Sequence, residues 1–564
     1  MLSRLSTYFD LTGKLDEIAT EQNLGDYSTT PPESNASLFP PPISRLPEEL
    51  LILIFAQCIS NRHDILCRYP IYLSFSQVCH DWRELALNTP TLWTKPDLTW
   101  PLWAREMLRR SKDAPLDVSN RANSGFSRNY VDGEYQEAML EALSNAPRIA
   151  KLSLWLYPHV GVDELLQSLD KPAPILRTLS IRWYDGFDEA PLPEHLLGDH
   201  APSLQQLAVE GCHSIRTYSL MKNLTSLLLR PHDHPPRNPC TLCPTTAQLL
   251  EVLGSMPDLQ VLTLFNSITS LDSKTALYPS VVTELPRLQS LHLVSPVSQC
   301  MNVLSNITFP ESARINLSCP TKGTEEDYII LFSRLSHLYS KSSIRSLALT
   351  GHGGTITGGD TTSLSIKAWN EDKPDSEMEP DVSLHLSLHD HPSDIFIRAA
   401  ALVLPLADLE SLTLDSINLL PSTLAECFGS LKRLSSIRIS HPEIGINLTE
   451  VLGQGLIEDM PHLVPFLSVE TIEMRGVDFR CLIIGDLFAN VLKMRAAHGA
   501  KLKSLVLREC WELPKWDVNR IQEMVKDMSV DWDGHYIGLV NGESDNEEYE
   551  DSDEYYEQQV SDYE

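Results

Sequence analysis

The sequence predicts an α/β protein: a small all-α module near the N-terminus, then a long series of stacked units each built from a β-strand and a helix or loop, and finally an acidic tail. Three observations carry this. Residues 46–56 read LPEELLILIFA, with seven apolar residues in a row. A hexapeptide of the form L-x-x-L-x-L recurs from residue 149 to residue 507. The formal net charge is −31, from 45 Lys and Arg against 76 Asp and Glu. Direct nucleic-acid binding needs basic residues to neutralise phosphates, so that balance argues against it as a general property.

Residues 1–42 form an N-terminal segment and linker. The opening MLSRLSTYFDLTGKLDEIATEQ carries acids and no continuous apolar region, unlike a secretory leader. GDYSTTPPESNASLFPPP, residues 25–42, has the Pro, Ser and Thr content of a linker. No apolar run approaches the roughly 18 residues that span a bilayer. The 11 cysteines are scattered and odd in number, which suits reduced thiols in a cytoplasmic or nuclear protein. On the same ground the five N-x-S/T sequons are read as chance.

Residues 43–95 form the helical module. Pro47 suits the first position of a helix, and Glu48 and Glu49 favour the positive end of its dipole. Leu50, Leu51, Ile54 and Phe55 follow at spacings that share a face. A second helix is predicted from Ser76 as N-cap, with Val78, Cys79, Trp82, Leu85 and Ala86 in one stripe and Pro90 ending it. Two helices within about 50 residues make a marginal core, so the surplus apolar surface must meet another surface.

LPEELLILIF followed by VCHDWRELALNTPTLW resembles the F-box in the form found among fungal F-box proteins: L-P-x-E-[LI]-L-x-x-I-F, then V-C-x-x-W-R-x-[LI]-A and T-P-x-L-W. The likeness covers residues 43–93 and departs from the tightest F-boxes in the span 60–73. It implies a Skp-type adaptor as partner and, through it, a cullin and RING ubiquitin ligase core. Carried over by position, Leu46, Pro47, Leu50, Leu51, Ile54 and Phe55 line the adaptor interface. Val78, Trp82 and Leu85 join them or hold the module together.

Residues 96–145 are expected to be a connecting helical segment, with Trp103, Met107 and Leu108 on one face. The stretch also resembles the segment after the F-box in fungal F-box proteins, where a run like LRRSKDAPLDV leads into a strand. The hexapeptide then appears as IAKLSL at 149, LRTLSI at 176, LQQLAV at 204, LTSLLL at 224, LQVLTL at 259 and LQSLHL at 288. IRSLAL at 344, LESLTL at 409, LSSIRI at 434, VETIEM at 469 and LKSLVL at 502 complete the series. Alternation puts the last two apolar residues on one side of a strand, and one unit cannot bury that side alone. Eight of the ten gaps are 20–35 residues; the gap of 56 fits a weaker copy containing Ile315 and Leu317, and the gap of 65 leaves room for two more units, which together mark a stacked-repeat architecture over residues 146–530. It resembles an irregular leucine-rich-repeat solenoid, in which the usual Asn or Cys after the strand survives only in places such as Asn266 and Cys510.

Residues 351–392 read as a hairpin or disordered insertion: TSLSIKAW and VSLHLSLHD flank the polar NEDKPDSEMEPD. Near the end, Ile521, Met524, Val525 and Met528 suit a terminal helix that seals the last unit. The tail, 541–564, has 11 acids between residues 543 and 564 and no Lys or Arg, a solvated stretch by composition.

Chemistry is sparse. No Walker loop, H-E-x-x-H or G-x-S-x-G occurs, no cofactor is expected, and the chain is not read as an enzyme. The weak metal candidate is His232, His234, Cys240 and Cys243 in HDHPPRNPCTLC, which is weighed against an ordinary loop. Trp155, Trp183 and Trp369 are read as packing residues. The F-box likeness implies a substrate-recognition subunit of a Skp–cullin–F-box ubiquitin ligase; the charge balance and the lack of a long apolar run argue for no nucleic acid or membrane partner. Outward strand residues such as Arg177, Ser180, Gln206 and Thr413 are the expected target contacts. The alternative is a ligase-independent repeat scaffold whose acidic tail holds basic partners.

Overall fold

The structure, a computed structural model, describes residues 42–535 except 61–74, 99, 121–132, 157–161, 184–191, 194, 212–219, 232–245, 267–281, 322, 339–342, 353–362, 372–377, 389–392, 457–463, 484–485 and 526. The 541–564 tail, the 232–243 cluster and nearly all of the 60–73 span lie outside the described residues. The chain divides into two compact units, Met1–Leu92 and Trp93–Glu564.

In the first unit, helix α1 runs Glu48–Ser60 and α2 runs His80–Leu87. The Pro47 carbonyl accepts from the N–H groups of Leu50 and Leu51, so α1 begins where the sequence placed it. The start of α2 differs. Ser76 stands in a separate helical turn, and the N-cap is Cys79, which makes no side-chain capping bond. The helix thus starts three residues later than the apolar stripe suggested.

The second unit is built on one sheet of sixteen strands. Its first strand, Leu116–Ser119, follows helix α3, Pro101–Arg110. The 96–145 segment is therefore part of the sheet unit and not simply a connector. Trp93 is buried in an edge-to-face pair with Trp103 at 5.8 Å, and the Arg110 guanidinium lies 4.6 Å over the Trp93 ring.

Each of the eleven hexapeptides becomes one strand, and all three apolar positions of every copy are buried. The strands pair in parallel with the copies in register: Leu152, Leu179, Leu207, Leu227, Leu262 and Leu291 are successive partners. The row resumes as Leu347, Leu412, Ile437, Ile472 and Leu505. Full burial of such a side chain contributes about 1.5–3 kcal/mol, which explains why stacking is obligatory. At five copies the eighth residue, counted from the start of the hexapeptide, leaves the strand with positive φ: Gly211, Asn266, Ser416, Gly476 and Glu509. There the Gly211, Asn266, Ser416 and Gly476 amides donate to the carbonyl of the next strand's last residue, 2.6–3.0 Å away. Cys510 is buried, its thiol aimed at the Met474 and Arg508 carbonyls and pushed up to about 11 by burial.

Two expectations change here. TSLSIKAW and VSLHLS do pair as antiparallel strands, Ser363–Trp369 and Val382–Ser387. They are not an insertion outside the repeats, because both lie inside the main sheet. Strand Ser363–Trp369 also pairs antiparallel with Ser346–His352, and Val382–Ser387 pairs parallel with Arg314–Cys319. The three strands thus sit in the reverse of their sequence order. Their buried Leu364, Ile366, Ala368, Val382 and Leu384 continue the apolar row. The physical reason is that their in–out alternation fits the sheet in either strand direction.

The terminal helix also differs. It covers Lys515–Met524, and Met528 lies beyond it, leading into a last parallel strand, Ser529–Trp532. The outermost element of the sheet at that end is therefore a strand.

Helices along the connections, among them Val297–Asn306, Glu325–Leu338, Ser393–Val403, Pro421–Phe428, Ile444–Gly453 and Leu487–Ala497, pack against one another in sequence order. Arg495 is buried among them and donates to the carbonyls of Leu452, Pro465 and Phe466 at 2.7–3.2 Å. Burial pulls its pKa down to about 10, so it stays charged at neutral pH.

Candidate functional site

Helix α1 has two apolar faces. Leu51 and Phe55, four residues apart, are buried. Phe55 stacks on Phe75 with ring centroids 4.5 Å apart and planes 7° apart, and it meets Trp82 edge-on at 5.0 Å. These rings are the core of the helical unit. Across the helix, Leu50, Leu53 and Ile54 are 45 %, 63 % and 41 % exposed, and Val78 is 60 % exposed. Ile43, ahead of the helix, is exposed as well.

The set carried over by position therefore divides. Leu50, Ile54, Val78 and Pro47 lie on the surface, while Leu46, Trp82 and Leu85 are partly buried. Leu51 and Phe55 serve the interior. Leu53, the most exposed apolar residue of α1, was missed because an all-round apolar helix gives no periodicity to separate its faces. Contiguous exposed aliphatic side chains of this kind mark a protein-binding surface.

The outward strand face is the second candidate. Ser180 is partly exposed and Gln206 exposed on the adjacent strands Thr178–Trp183 and Gln206–Glu210, while Arg177, also exposed, stands just before the first of these strands and not in it. The Thr178 hydroxyl donates to the Gln206 side-chain oxygen at 3.2 Å. Thr413 lies eight strands away from Gln206 in sheet order, roughly 40 Å at 4.8 Å per strand, so the structure does not bring it to the same place.

A ladder that sequence reasoning did not single out crosses the same region. It occupies the position immediately after the last apolar residue of successive copies: Trp155, Arg182, Glu210, Arg230 and Phe265. Arg182 lies 4.5 Å over the Trp155 ring, and its Nη2 donates to both carboxylate oxygens of Glu210. Arg230 lies 5.0 Å over Phe265, which meets His292 edge-on at 5.1 Å. Burial holds the His292 pKa below its ordinary value. Trp155 thus stands on the outward face, whereas Trp183 is buried as expected of a packing residue.

Among the described residues, no group of three His, Cys, Asp or Glu side chains is placed to hold a metal ion. Cys58, Cys79, Cys300, Cys319, Cys427 and Cys510 are free thiols. Burial raises the Cys427 pKa to about 11. No helix among the described residues is long and apolar enough to cross a membrane.

No match to the chain was found among curated proteins. Residues 43–99 match a family model described as F-box-like. That match takes in α1, the Phe55–Phe75–Trp82 cluster, α2 and the exposed Leu50–Leu53–Ile54 face, and ends just past Asp97, which bridges Ser119 of the first strand. The chain carries an F-box-like domain at residues 43–99.

Proposed function

We propose that this chain is the substrate-recognition subunit of a Skp–cullin–F-box ubiquitin ligase. Leu50, Leu53, Ile54 and Val78 bind a Skp-type adaptor, and the sheet unit, an irregular leucine-rich-repeat solenoid, binds the target. The observation that carries the reading is the exposed aliphatic face of α1 within a domain that matches the F-box-like family. F-box domains are adaptors without catalytic groups of their own. The chain would act by raising the effective concentration of target lysines near a charged ubiquitin-conjugating enzyme.

Co-purification with a Skp-type adaptor tests this, using wild type beside Leu50→Asp and Leu53→Asp. A carboxylate at either position costs several kcal/mol to desolvate in an apolar interface, yet burdens neither the Phe55 cluster nor the sheet. Wild-type binding lost in these folded variants supports the reading. No binding by folded wild type sinks it. The alternative, a ligase-independent scaffold for basic partners, draws on the 11 acids of residues 543–564. It would then become the leading account.

A further inference from the structure

We infer that the outward face of the strands between Ile149 and Val294 binds an extended, Asp- and Glu-rich segment of a partner protein, anchored by Arg182 and Arg230. This rests on the receptor reading above and names the chemistry of the target it would take.

Charge comes first. On the six strands Ile149–Leu156, Thr178–Trp183, Gln206–Glu210, Ser226–Arg230, Val261–Phe265 and Ser290–Val294, the outward charged residues are Lys151, Arg182 and Arg230 against Glu210 alone. Three cations to one anion is a local excess of two positive charges in a chain of net charge −31. A basic partner drawn to the chain as a whole meets like charge at this face, whereas an acidic partner meets its complement only where such a face exists.

The second observation is preorganisation. Arg182 is held between the Trp155 ring and the Glu210 carboxylate, and Arg230 lies over Phe265, itself braced by His292. Neither guanidinium has to give up much rotamer freedom on binding, which is what distinguishes an arginine anchor from a solvated charge. Arginine and aromatic residues clustered in this way are also the residue types that dominate binding energy at protein interfaces.

Shape supplies the extended form. Two residues before the ladder on each strand stand Ser153, Ser180, Ala208, Leu228 and Thr263, mostly small side chains. They make a low floor beside a taller rim, running across strands whose spacing is about 4.8 Å. A segment laid along that floor brings alternate side chains to the rim. Carboxylates fit better than phosphate there, because Glu210 sits between the two arginines and repels a dianion more than a monoanion.

The test titrates the full chain with a fluorescently labelled peptide of alternating glutamate and leucine, beside a matched glutamine–leucine peptide. The acidic peptide should bind with an affinity that falls as salt rises, and Arg230→Gln should weaken it at least about tenfold. Trp155→Ala should weaken it as well, while Arg508→Gln, in the distant strand Ser504–Arg508, should leave it unchanged. Equal binding of the glutamine peptide, no binding of the acidic peptide, or equal loss in Arg508→Gln would overturn the inference. So would self-association that depends on Arg230 without peptide binding, which would assign the face to a second copy of the chain. Melting curves and adaptor co-purification of the same variants keep this separate from the receptor reading. Peptide binding with no adaptor binding sinks only the latter.

Discussion

In helix α1, Leu50, Leu53 and Ile54 remain 41–63 % exposed, whereas in the eleven strand hexapeptides all three apolar positions of every copy are buried. The residue types are the same; what differs is supply and demand for covering surface. A strand's apolar side is covered by the same side of its neighbours' units, so each added repeat meets its need in the act of stacking. Among its described residues the helical unit offers Phe75, Trp82 and a few neighbours, and they cover Leu51 and Phe55. The excess is left on the far face of α1. Apolar side chains left over after a core has closed point to function, and those consumed by it point to fold.

One substitution tried at both places should break that comparison most sharply. Leu412→Asp puts an unpaired carboxylate at a fully buried position in the middle of the sheet. It should cost about 4 kcal/mol or more, or abolish folding, read by urea denaturation. Leu50→Asp should change the unfolding free energy by less than about 0.5 kcal/mol while removing adaptor binding. Comparable destabilisation by the two would show that the α1 face is covered in the free protein.

Phe55→Ala turns the same comparison inward, within one helix. It removes the ring that joins Phe75 to Trp82 and should cost about 3–5 kcal/mol in the helical unit. The loss should appear as earlier proteolysis of residues 43–92, with the sheet's transition unmoved. Leu53→Ala, two residues away and exposed, should leave proteolysis as it is and weaken only adaptor binding.

The strand ends offer a smaller contrast between two glycines of equivalent position. Gly211 and Gly476 both have positive φ, at 77° and 60°. A Cβ at Gly211 would lie 3.0 Å from the Trp183 Cβ and carbonyl oxygen, while one at Gly476 meets nothing within 4 Å. Gly476→Ala should therefore cost about 1–2 kcal/mol, the left-handed backbone penalty alone. Gly211→Ala should cost more than that, since the packed Trp183 must also shift. Equal thermal shifts would mean that the Trp183 backbone yields freely.

The positions of the strands were readable because L-x-x-L-x-L combines a two-residue period with a fixed first anchor, and every predicted anchor is buried. Strand direction was not readable. Alternation in Ser363–Trp369 is the same read from either end, so nothing in the residues announced that the sheet reverses there. The final strand, Ser529–Trp532, lacks the leucines of the motif, and Met528 could be fitted to a helical stripe instead. In α1, continuous apolarity announced a surface in search of a partner but not which side held it. The Trp155–Arg182–Glu210–Arg230–Phe265 ladder was present in the sequence at gaps of 27, 28, 20 and 35 residues, the same gaps as the hexapeptides themselves. Reading down aligned copies, instead of along the chain, would have found it.

The smallest expected effect concerns pH and distinguishes two histidines of the sheet unit from the helical unit, whose His80 is exposed. Burial lowers the pKa of His292, and burial outweighs the nearby Glu443 carboxylate to lower that of His441. Both are neutral in the native sheet at pH 7. In the unfolded chain they titrate near the ordinary value of about 6.5. Below that pH the unfolded state binds protons that the native state resists, so the sheet's stability should fall as pH drops from about 6.5 through the depressed native values. Replacing both with Gln should flatten this part of the pH–stability curve, and a single His292→Gln should remove only its own share. Because His292 braces Phe265 beneath Arg230, the single variant also asks whether the ladder needs that ring or only a neutral group in its place. Retained acidic-peptide affinity in His292→Gln would assign the bracing to packing volume, and reduced affinity with unchanged melting would assign it to the edge-on ring itself.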